Sequence, residues 1–208
     1  MFELDKSVVL LGSGGHATSI IDLLESCGVS KIYVCGLTND KRLSRHESIS
    51  IEQIEKNLDD LHLVLAIGDQ KLRNDFMSRN LEIIKNGRFP VLIHPSAFVS
   101  HSSEIGAGTV VFAYSYIGPF CSIGNFSIIN THAVVEHGNK LGEAVILSPR
   151  VTLCGNVSVG NNTFLGLGVG VAPSVEIGAN VTIGAFSFVN KSLKQDSKAY
   201  GIPAVDIA

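Results

Sequence analysis

A six-residue repeat without a single insertion or deletion runs through the second half of the chain. From Ile93 to Lys194 the sequence divides into 17 hexapeptides, and each one begins with Ile, Val or Leu. The fifth position is mostly small or β-branched, and glycine often occupies the second. Such an array is not a product of chance, so each hexapeptide is one structural unit. The pattern predicts a three-sided parallel β-solenoid with three hexapeptides per coil, inward first and fifth positions, and Gly or Asn relaxing φ at the corners.

The first half has a different period, in which apolar strands alternate with amphipathic helices. Residues 7–15, "SVVLLGSGG", predict a strand that ends in glycines, and residues 16–28 predict a helix. Strands "KIYVCGL" and "LHLVLAIGD" alternate with helices at 50–58 and 70–83, the former with Ser50 as N-cap and Gln53 three residues later. We therefore expect an α/β Rossmann-like domain over residues 1–88, an all-β parallel β-helix over 89–192 and a C-terminal cap over 193–208.

Composition removes several classes of function. The net charge of −3 provides no basic footprint for nucleic acid. No signal-like N-terminus and no apolar run of about 18 residues are present, so neither export nor membrane spanning is predicted. The four cysteines have neither metal-site nor disulfide-framework spacing, which indicates reduced thiols and a cytoplasmic protein. These cysteines are Cys27, Cys35, Cys121 and Cys154.

The hexapeptide array, together with "GSGGH" at 12–16 and "YGIPAVDI" at 200–207, resembles one family over nearly the whole chain. It is similar to the left-handed β-helix sugar acetyltransferases of the sialic acid O-acetyltransferase and bacillosamine N-acetyltransferase group. The resemblance implies a left-handed β-helix and a homotrimer that binds acetyl-CoA in clefts between neighbouring prisms. It also implies an N-terminal domain that holds a sugar or nucleotide sugar, with no metal.

The stretch "VVEHGNKLG", residues 134–142, contains the best candidate for a general base. His137 lies at the third position of its hexapeptide, and an unperturbed histidine pKa near 6.5 suits base catalysis at neutral pH. The resemblance implies the same role, whereas the alternative is a solvated corner histidine. Glu136 is a candidate to orient the imidazole. Asn139 is predicted to point inward, where it either orients the loop under His137 or forms a hydrogen-bond ladder with the backbone.

Other positions take their expected roles from the resemblance. The amide of Gly155, one coil beyond His137, would face the oxyanion, with a plain corner glycine as the alternative. Ile146 occupies the place of a second histidine that contacts the acetyl donor, and Gly138 the place of an acid. The pantetheine would run along Leu167 and Ala185, and nearby lysines would meet CoA phosphates or remain solvated. These lysines are Lys191, Lys194 and Lys198.

The loop "GSGGHA" follows the first strand and opens the first helix, a position suited to an anion. It only partly fits a dinucleotide-binding fingerprint. Ala17 replaces the third glycine, and the acidic residue expected after the second strand has only an approximate match. His16 matches an acceptor-binding histidine of the group, or it is simply a polar residue at a helix start. "AIGD" is expected to line the same crevice. The residues expected to bind the acceptor are Gly12, Gly14, Gly15, His16, Asn39, Asp40 and Gly68.

These features favour acetyl-CoA-dependent O-acetylation of a sialic acid or CMP-sialic acid, by direct base-assisted attack on the thioester. Gly138 motivates the hydroxyl acceptor, and the alternative is N-acetylation of a UDP-4-amino sugar. More remote alternatives are an NAD-dependent oxidoreductase, an inactive scaffold and a zinc hydrolase like the γ-type carbonic anhydrases. A catalytic zinc site usually has three protein ligands. His101 and His137 are two coils apart and His132 and His137 are five residues apart, but each of these pairs lacks the third ligand.

Overall fold

The computed structural model describes residues 7–36 and 40–207. The chain divides into two compact units, Met1–Pro90 and Val91–Ala208. Among the described residues, no helix is both long and apolar enough to cross a membrane.

The N-terminal unit is a parallel four-stranded sheet with helices between its strands. Its elements are β1 (Ser7–Leu11), α1 (Gly15–Ser26), β2 (Ile32–Cys35), β3 (Glu47–Ser48), α2 (Ile51–Lys56), a 3-10 turn (Leu58–Asp60), β4 (Leu61–Leu65), α3 (Gln70–Arg79) and α4 (Leu81–Asn86). The strand order is β3-β2-β1-β4, and β1 pairs with β2 and β4 in parallel. The predicted Rossmann-like arrangement is confirmed, with the loops after β1 and β4 at the same end of the sheet.

Two local predictions for this unit, a capping box and a single helix, have different outcomes. The capping box of α2 is confirmed: the Ser50 hydroxyl accepts from the Gln53 amide, and the Gln53 side chain accepts from the Ser50 amide. The single helix predicted over 70–83 is wrong, because the chain breaks at Asn80 into α3 and α4. The Asn80 amide donates to the carbonyl of Phe76, so its side chain competes with helical backbone bonding at that point.

The second unit contains one two-residue strand per hexapeptide, formed by the last residue of one repeat and the first of the next. The strands are β5 (Leu92–Ile93), β6 (Phe98–Val99), β7 (Glu104–Ile105), β8 (Val110–Val111), β9 (Tyr116–Ile117), β10 (Ser122–Ile123), β11 (Ile128–Ile129), β12 (Val134–Val135), β13 (Lys140–Leu141), β14 (Ile146–Leu147), β15 (Thr152–Leu153), β16 (Ser158–Val159), β17 (Phe164–Leu165), β18 (Gly170–Val171), β19 (Glu176–Ile177), β20 (Thr182–Ile183) and β21 (Phe188–Val189).

Every third strand stacks in parallel, which forms a three-faced β-helix. Face 1 contains β6, β9, β12, β15, β18 and β21; face 2 contains β7, β10, β13, β16 and β19; face 3 contains β5, β8, β11, β14, β17 and β20. We call the corner between faces 1 and 2 edge A, that between faces 2 and 3 edge B, and that between faces 3 and 1 edge C. Val135 pairs with Ile117 and with Leu153, so equivalent residues 18 positions apart stack along the axis.

First and fifth positions fill the interior as predicted, and polar residues at the fifth position form a ladder. Thr163 is typical: its hydroxyl donates to the Gly178 carbonyl (2.9 Å) and accepts from the Val181 amide (3.1 Å) in the next coil. Each such residue satisfies two backbone groups that the strands leave unpaired. The coils are therefore joined by side-chain as well as strand hydrogen bonds.

The prediction that Gly and Asn relax φ at the corners is only partly confirmed. The fourth residue of each turn from Gly108 to Phe186 has positive φ, and it includes residues as large as Phe120 (φ 58°) and Arg150 (φ 62°). Glycine at the second position has another cause. A Cβ on Gly124 would lie 2.5 Å from the carbonyl carbon of Gly142. Glycine is thus required there because neighbouring coils approach closely, not because of φ.

The faces differ in the residues that they present outward at the sixth position. Face 2 is polar, with Glu104, Ser122, Lys140, Ser158 and Glu176. Face 1 is mostly apolar, with Phe98, Tyr116, Val134, Thr152, Gly170 and Phe188. Large exposed aromatic side chains also occupy the two edges that flank face 1, namely Phe120 on edge A and Tyr114 and Phe186 on edge C. Face 1 and its edges therefore form an exposed apolar surface.

Two further strands follow at the C-terminal end, where the sequence predicts a cap. β22 (Lys198–Tyr200) adds in parallel to β20, and β23 (Val205–Asp206) folds back antiparallel to β22. The Ser197 hydroxyl donates to the Asp206 carboxylate at 2.7 Å. The hairpin supplies hydrogen-bond partners to a strand edge that would otherwise be open.

Candidate active site

His137 lies at the turn between β12 and β13, on edge A, with an exposed side chain. A Cβ placed on Gly155 would lie 2.5 Å from both Cε1 and Nε2 of His137. The imidazole therefore lies directly against the α-carbon of Gly155, one coil further along the same edge. Gly155 has no positive φ, so space for the imidazole, and not backbone conformation, is what glycine provides here.

The Gly155 amide belongs to the residue that this imidazole contacts. No hydrogen-bond acceptor for this amide is found within residues 7–36 and 40–207, as is common at the third position of these turns. An unpaired amide next to a basic nitrogen is a donor available to a ligand oxygen. The predicted oxyanion role stays a prediction, but the two groups it requires are adjacent.

Asn139 forms hydrogen bonds with the backbone just before the candidate base and with the backbone on either side of Gly155 in the next coil. Its amide nitrogen donates to the carbonyls of Glu136 and Cys154, and its Oδ1 accepts from the Val157 amide at 3.0 Å. Asn139 is fully buried. It is therefore part of the ladder and also holds the loop under His137, so both alternatives left open by the sequence apply.

Glu136 and Gly138 flank the base without contacting its imidazole through hydrogen bonds. Among the described residues, Glu136 forms no hydrogen bond or ion pair with His137, and its orienting role remains a prediction. Gly138 has φ +69°, and the Asn156 side chain occupies the place of its missing Cβ. Because other fourth positions hold large residues at positive φ, the contact with Asn156 explains why glycine is needed here.

The residues assigned to the acetyl donor lie on other parts of the β-helix. Leu167 and Ala185 are exposed at third positions of edge C, one coil apart, whereas His137 and Gly155 are on edge A. Ile146 lies on face 3 and is 3% exposed. A single chain therefore does not bring the base and the predicted pantetheine residues to one edge. The C-terminal lysines Lys191, Lys194 and Lys198 are all exposed.

In the N-terminal unit, the two glycine-containing loops line one cavity of about 390 Å³. Its lining residues are Ser13, Gly14, Gly15, His16, Ala66, Ile67, Gly68, Asp69 and Leu72. A Cβ on Gly12 (φ +124°) would lie 2.8 Å from Ile67, and one on Gly68 would lie 3.0 Å from the His16 Cβ. The glycines thus let the loops after β1 and β4 approach each other. Of the predicted acceptor residues, Gly14, Gly15, His16 and Gly68 line the cavity, and Gly12 does not line it but lies against Ile67, which does. Two others are exceptions.

The exceptions are Asn39 and Asp40. Asn39 lies outside the described residues. The Asp40 carboxylate is held by the Arg42 guanidinium in a bidentate contact (2.6 and 3.0 Å), which lowers its pKa to about 2. Asp40 is not among the residues that line the cavity.

His16 and Arg73 determine the electrostatics of this cavity. Burial, followed by the positive charge of Arg73, lowers the pKa of His16 to about 4, so the imidazole is neutral at physiological pH. Arg73 is 0% exposed on α3, and its Nη1 donates to the carbonyls of Leu65 and Ile67 at 3.1 and 3.2 Å. Sequence reasoning missed Arg73, because the polar helix around it carries no sign that one arginine points inward.

Within the described part of the chain, no three or more His, Cys, Asp and Glu side chains are placed as a metal site requires.

Two segments of the chain match models of known protein families. Residues 7–80 match the PglD N-terminal domain, and residues 159–191 match the bacterial transferase hexapeptide (six repeats). The chain is 35% identical over 117 residues to UDP-N-acetylbacillosamine N-acetyltransferase of Bacillus subtilis. That alignment covers 52% of this chain, and it spans only about half (52%) of the curated relative.

Two solved structures match along nearly the whole chain. A mutant perosamine N-acetyltransferase from Caulobacter crescentus, in complex with CoA and GDP-perosamine, is 34% identical with a TM-score of 0.87, covering 97% of each chain. The acetyltransferase domain of PglB from Neisseria gonorrhoeae, in complex with acetyl coenzyme A, is 25% identical with a TM-score of 0.88, covering 97% of this chain and 99% of that one. The chain belongs to the left-handed β-helix, hexapeptide-repeat sugar acetyltransferases.

Proposed function

We propose that the protein transfers the acetyl group of acetyl-CoA to the amino group of a nucleotide-linked sugar. The observation that carries the proposal is the contact between the His137 imidazole and Gly155. It pairs a base with a free amide in a chain that aligns over 97% of its length with an enzyme in complex with CoA and GDP-perosamine. The cavity of the N-terminal unit supports a site for the sugar nucleotide.

The acceptor expected first, a sialic acid hydroxyl, is not supported. The B. subtilis and C. crescentus relatives are named as N-acetyltransferases of amino sugars. The alternative, an amine acceptor, therefore fits better. Gly138, which motivated the hydroxyl, has a structural cause in its contact with Asn156, so it is weak evidence about the acceptor.

The acceptor nitrogen loses two protons as the carbon–nitrogen bond forms and the carbon–sulfur bond breaks. The ammonium releases the first proton to solvent, and the neutral amine attacks the thioester carbonyl carbon while the His137 imidazole takes the second proton from the nitrogen. The Gly155 amide donates to the oxyanion of the tetrahedral intermediate. As the carbon–sulfur bond breaks, CoA leaves as a thiolate that receives the proton from His137. Such a base contributes ~10²–10⁴-fold to the rate.

The residues on edges A and C fit a site shared between subunits. Face 1 is exposed and apolar, whereas face 2 is polar, which favours burial of face 1 against copies of the same chain. If face 1 is directed at a threefold axis, edge A of one subunit meets edge C of the next. This arrangement would bring edge A, with His137 and Gly155, beside edge C of the neighbour, whose Leu167 and Ala185 lie between one and two coils further along the axis. We therefore propose a homotrimer with acetyl-CoA running along the intersubunit cleft.

The test is product analysis with acetyl-CoA and a panel of UDP- and GDP-linked amino sugars and sialic acids, followed by mass spectrometry. We expect an N-acetylated nucleotide sugar. His137→Ala should lower kcat/KM by ~10²–10⁴-fold while CoA binding is nearly unchanged. His101→Ala is the matched control, since His101 is an exposed histidine at the same hexapeptide position on edge A. Unchanged turnover in His137→Ala would exclude it as the base.

A further inference from the structure

Asn156 follows Gly155 on edge A and has an exposed side chain. The amide of Gly155 is the donor that the proposed function assigns to the oxyanion. The Asn156 amide donates to the His137 carbonyl of the preceding coil at 2.9 Å, which ties the two turns together. Asn156 is therefore attached to the backbone of the candidate base, although it has no role in the reaction as described so far.

The side chains of His137 and Asn156 each occupy space that a glycine of the other turn leaves free. The imidazole extends toward the next coil and lies against Gly155, whereas the carboxamide extends back and fills the place of the Cβ missing from Gly138. Gly138 directly follows His137, and Gly155 directly precedes Asn156. The two side chains therefore pass each other between the same pair of coils, which places the imidazole and the carboxamide side by side on edge A.

Backbone conformation alone does not explain Asn156. Its φ is 59°, and asparagine tolerates this left-handed region. Asn162 and Asn180 have the same conformation at the same hexapeptide position on edge B. The Asn162 carboxamide donates to Asn180 at 3.0 Å, and the Asn180 carboxamide donates to Asp196 at 2.9 Å. By contrast, the Asn156 carboxamide forms no hydrogen bond with any group in the described part of the chain, so its donor and its acceptor are available to a ligand.

An amine and a hydroxyl differ in the number of hydrogens on the attacking atom. A neutral amine brings two N–H bonds to the thioester. His137 removes one of these protons, and the other N–H bond remains in the amide product. A hydroxyl brings one O–H bond, and the base removes its proton. A carboxamide oxygen, which accepts but does not donate, can therefore hold an amine throughout the reaction but not a hydroxyl.

We propose that Asn156 is a specificity-determining residue whose Oδ1 accepts a hydrogen bond from the N–H that the acceptor nitrogen keeps, while His137 takes the other proton. The inference rests on the proposed function and deepens it. The hydrogen bond directs the nitrogen lone pair at the thioester carbon, and Asn156 neither gains nor loses a proton. A hydroxyl acceptor would leave Oδ1 without a donor, and sites built to bind an N–H discriminate strongly against acceptors that lack it.

Asn156→Gly removes the carboxamide without disturbing the turn, because glycine readily adopts a φ of 59°. The attacking nitrogen is positively charged as its bond to carbon forms. Loss of the hydrogen bond should therefore lower kcat/KM for the amino sugar nucleotide by about 10- to 100-fold, while the KM for acetyl-CoA does not change. Asn156→Asp keeps an acceptor oxygen and should retain most of the activity. Asn162→Gly is the matched control on edge B and should match the wild type in kcat/KM per folded molecule.

A second measurement uses the hydroxyl counterpart of the same nucleotide sugar, incubated with acetyl-CoA and excess enzyme. The yield of O-acetylated product is measured by mass spectrometry. It should be no lower in Asn156→Gly than in the wild type, because a hydroxyl gains nothing from Oδ1. A purely structural defect would lower both reactions alike.

The outcomes separate the inference from the proposed function. A wild type that N-acetylates none of the amino sugar nucleotides refutes the proposed function, and the inference with it. A wild type that does so, with kcat/KM unchanged in Asn156→Gly, overturns the inference alone. The inference is also overturned if Asn156→Asp loses as much activity as Asn156→Gly, if Asn162→Gly shows the same loss, or if O-acetylation falls in proportion to N-acetylation.

Discussion

Gly155→Ala should damage catalysis while leaving the fold intact. The new Cβ would lie 2.5 Å from two atoms of the His137 ring, whereas non-bonded carbons normally approach to about 3.5–4.0 Å. The imidazole must therefore retreat by about 1 Å or more. Because His137 is exposed, its side chain is free to rotate into solvent, and the backbone of residue 155 accepts alanine.

The two effects have different magnitudes. Displacement of a catalytic group by about 1 Å costs ~10²-fold in rate, so kcat/KM should fall by about that factor. The free energy of unfolding should change by no more than about 0.5–1 kcal/mol, as for other surface or Gly→Ala substitutions without backbone strain.

Gly124→Ala is the opposite case and the matched control. Its Cβ would lie 2.5 Å and 2.6 Å from the carbonyl carbon and oxygen of Gly142. Backbone of the next coil cannot move away without breaking the strand ladder, so unfolding free energy should fall by about 1–3 kcal/mol. The kcat/KM per folded molecule should be retained, since Gly124 is remote from the base in the hexapeptide register.

The assay couples release of the CoA thiol to a chromogenic disulfide, with thermal unfolding of each variant measured in parallel. Full activity of Gly155→Ala, together with a strong defect in His137→Ala, would contradict this prediction. It would mean that the base does not act from its position beside Gly155.

Two further predictions concern the brace under the base and the N-terminal cavity. Asn139→Ala should lower the free energy of unfolding by about 2–4 kcal/mol, measured by denaturant titration, because buried backbone groups lose their partners. Asn139→Thr should recover most of that stability, as Thr163 fills the same ladder position, but not kcat/KM, since it cannot also hold Glu136. If Asn139→Thr recovers both the free energy of unfolding and kcat/KM, Asn139 acts only as a member of the hydrogen-bond ladder. His16 has a folded pKa of about 4, below its unfolded value, so its contribution to stability is complete above pH 6.5 and is lost as the pH falls toward 4. His16→Gln should remove up to about 3 kcal/mol of this pH dependence, and an unchanged pH profile of unfolding would contradict the burial of His16.

Much of the fold is legible in the sequence because its elements are periodic. A strict period of six with an inward aliphatic residue predicts stacked coils in a single register. The alternation of strands and helices predicts a parallel sheet. The capping box at Ser50 is also predictable, because it depends on residues that are close in sequence. The break at Asn80 was not predictable from the periodic pattern, because one side-chain hydrogen bond to the Phe76 carbonyl competes with the helix.

The candidate site likewise combines features that the repeat predicts with contacts that depend on packing. The repeat alone predicts that His137 and Gly155 lie one coil apart on one edge, because their spacing of 18 residues is three hexapeptides. The folded chain adds that the imidazole contacts the Gly155 α-carbon, that Arg73 is buried behind the cavity and that Asp40 is engaged by Arg42. Side-chain contacts between residues distant in sequence depend on packing in three dimensions, and no repeat or motif encodes them.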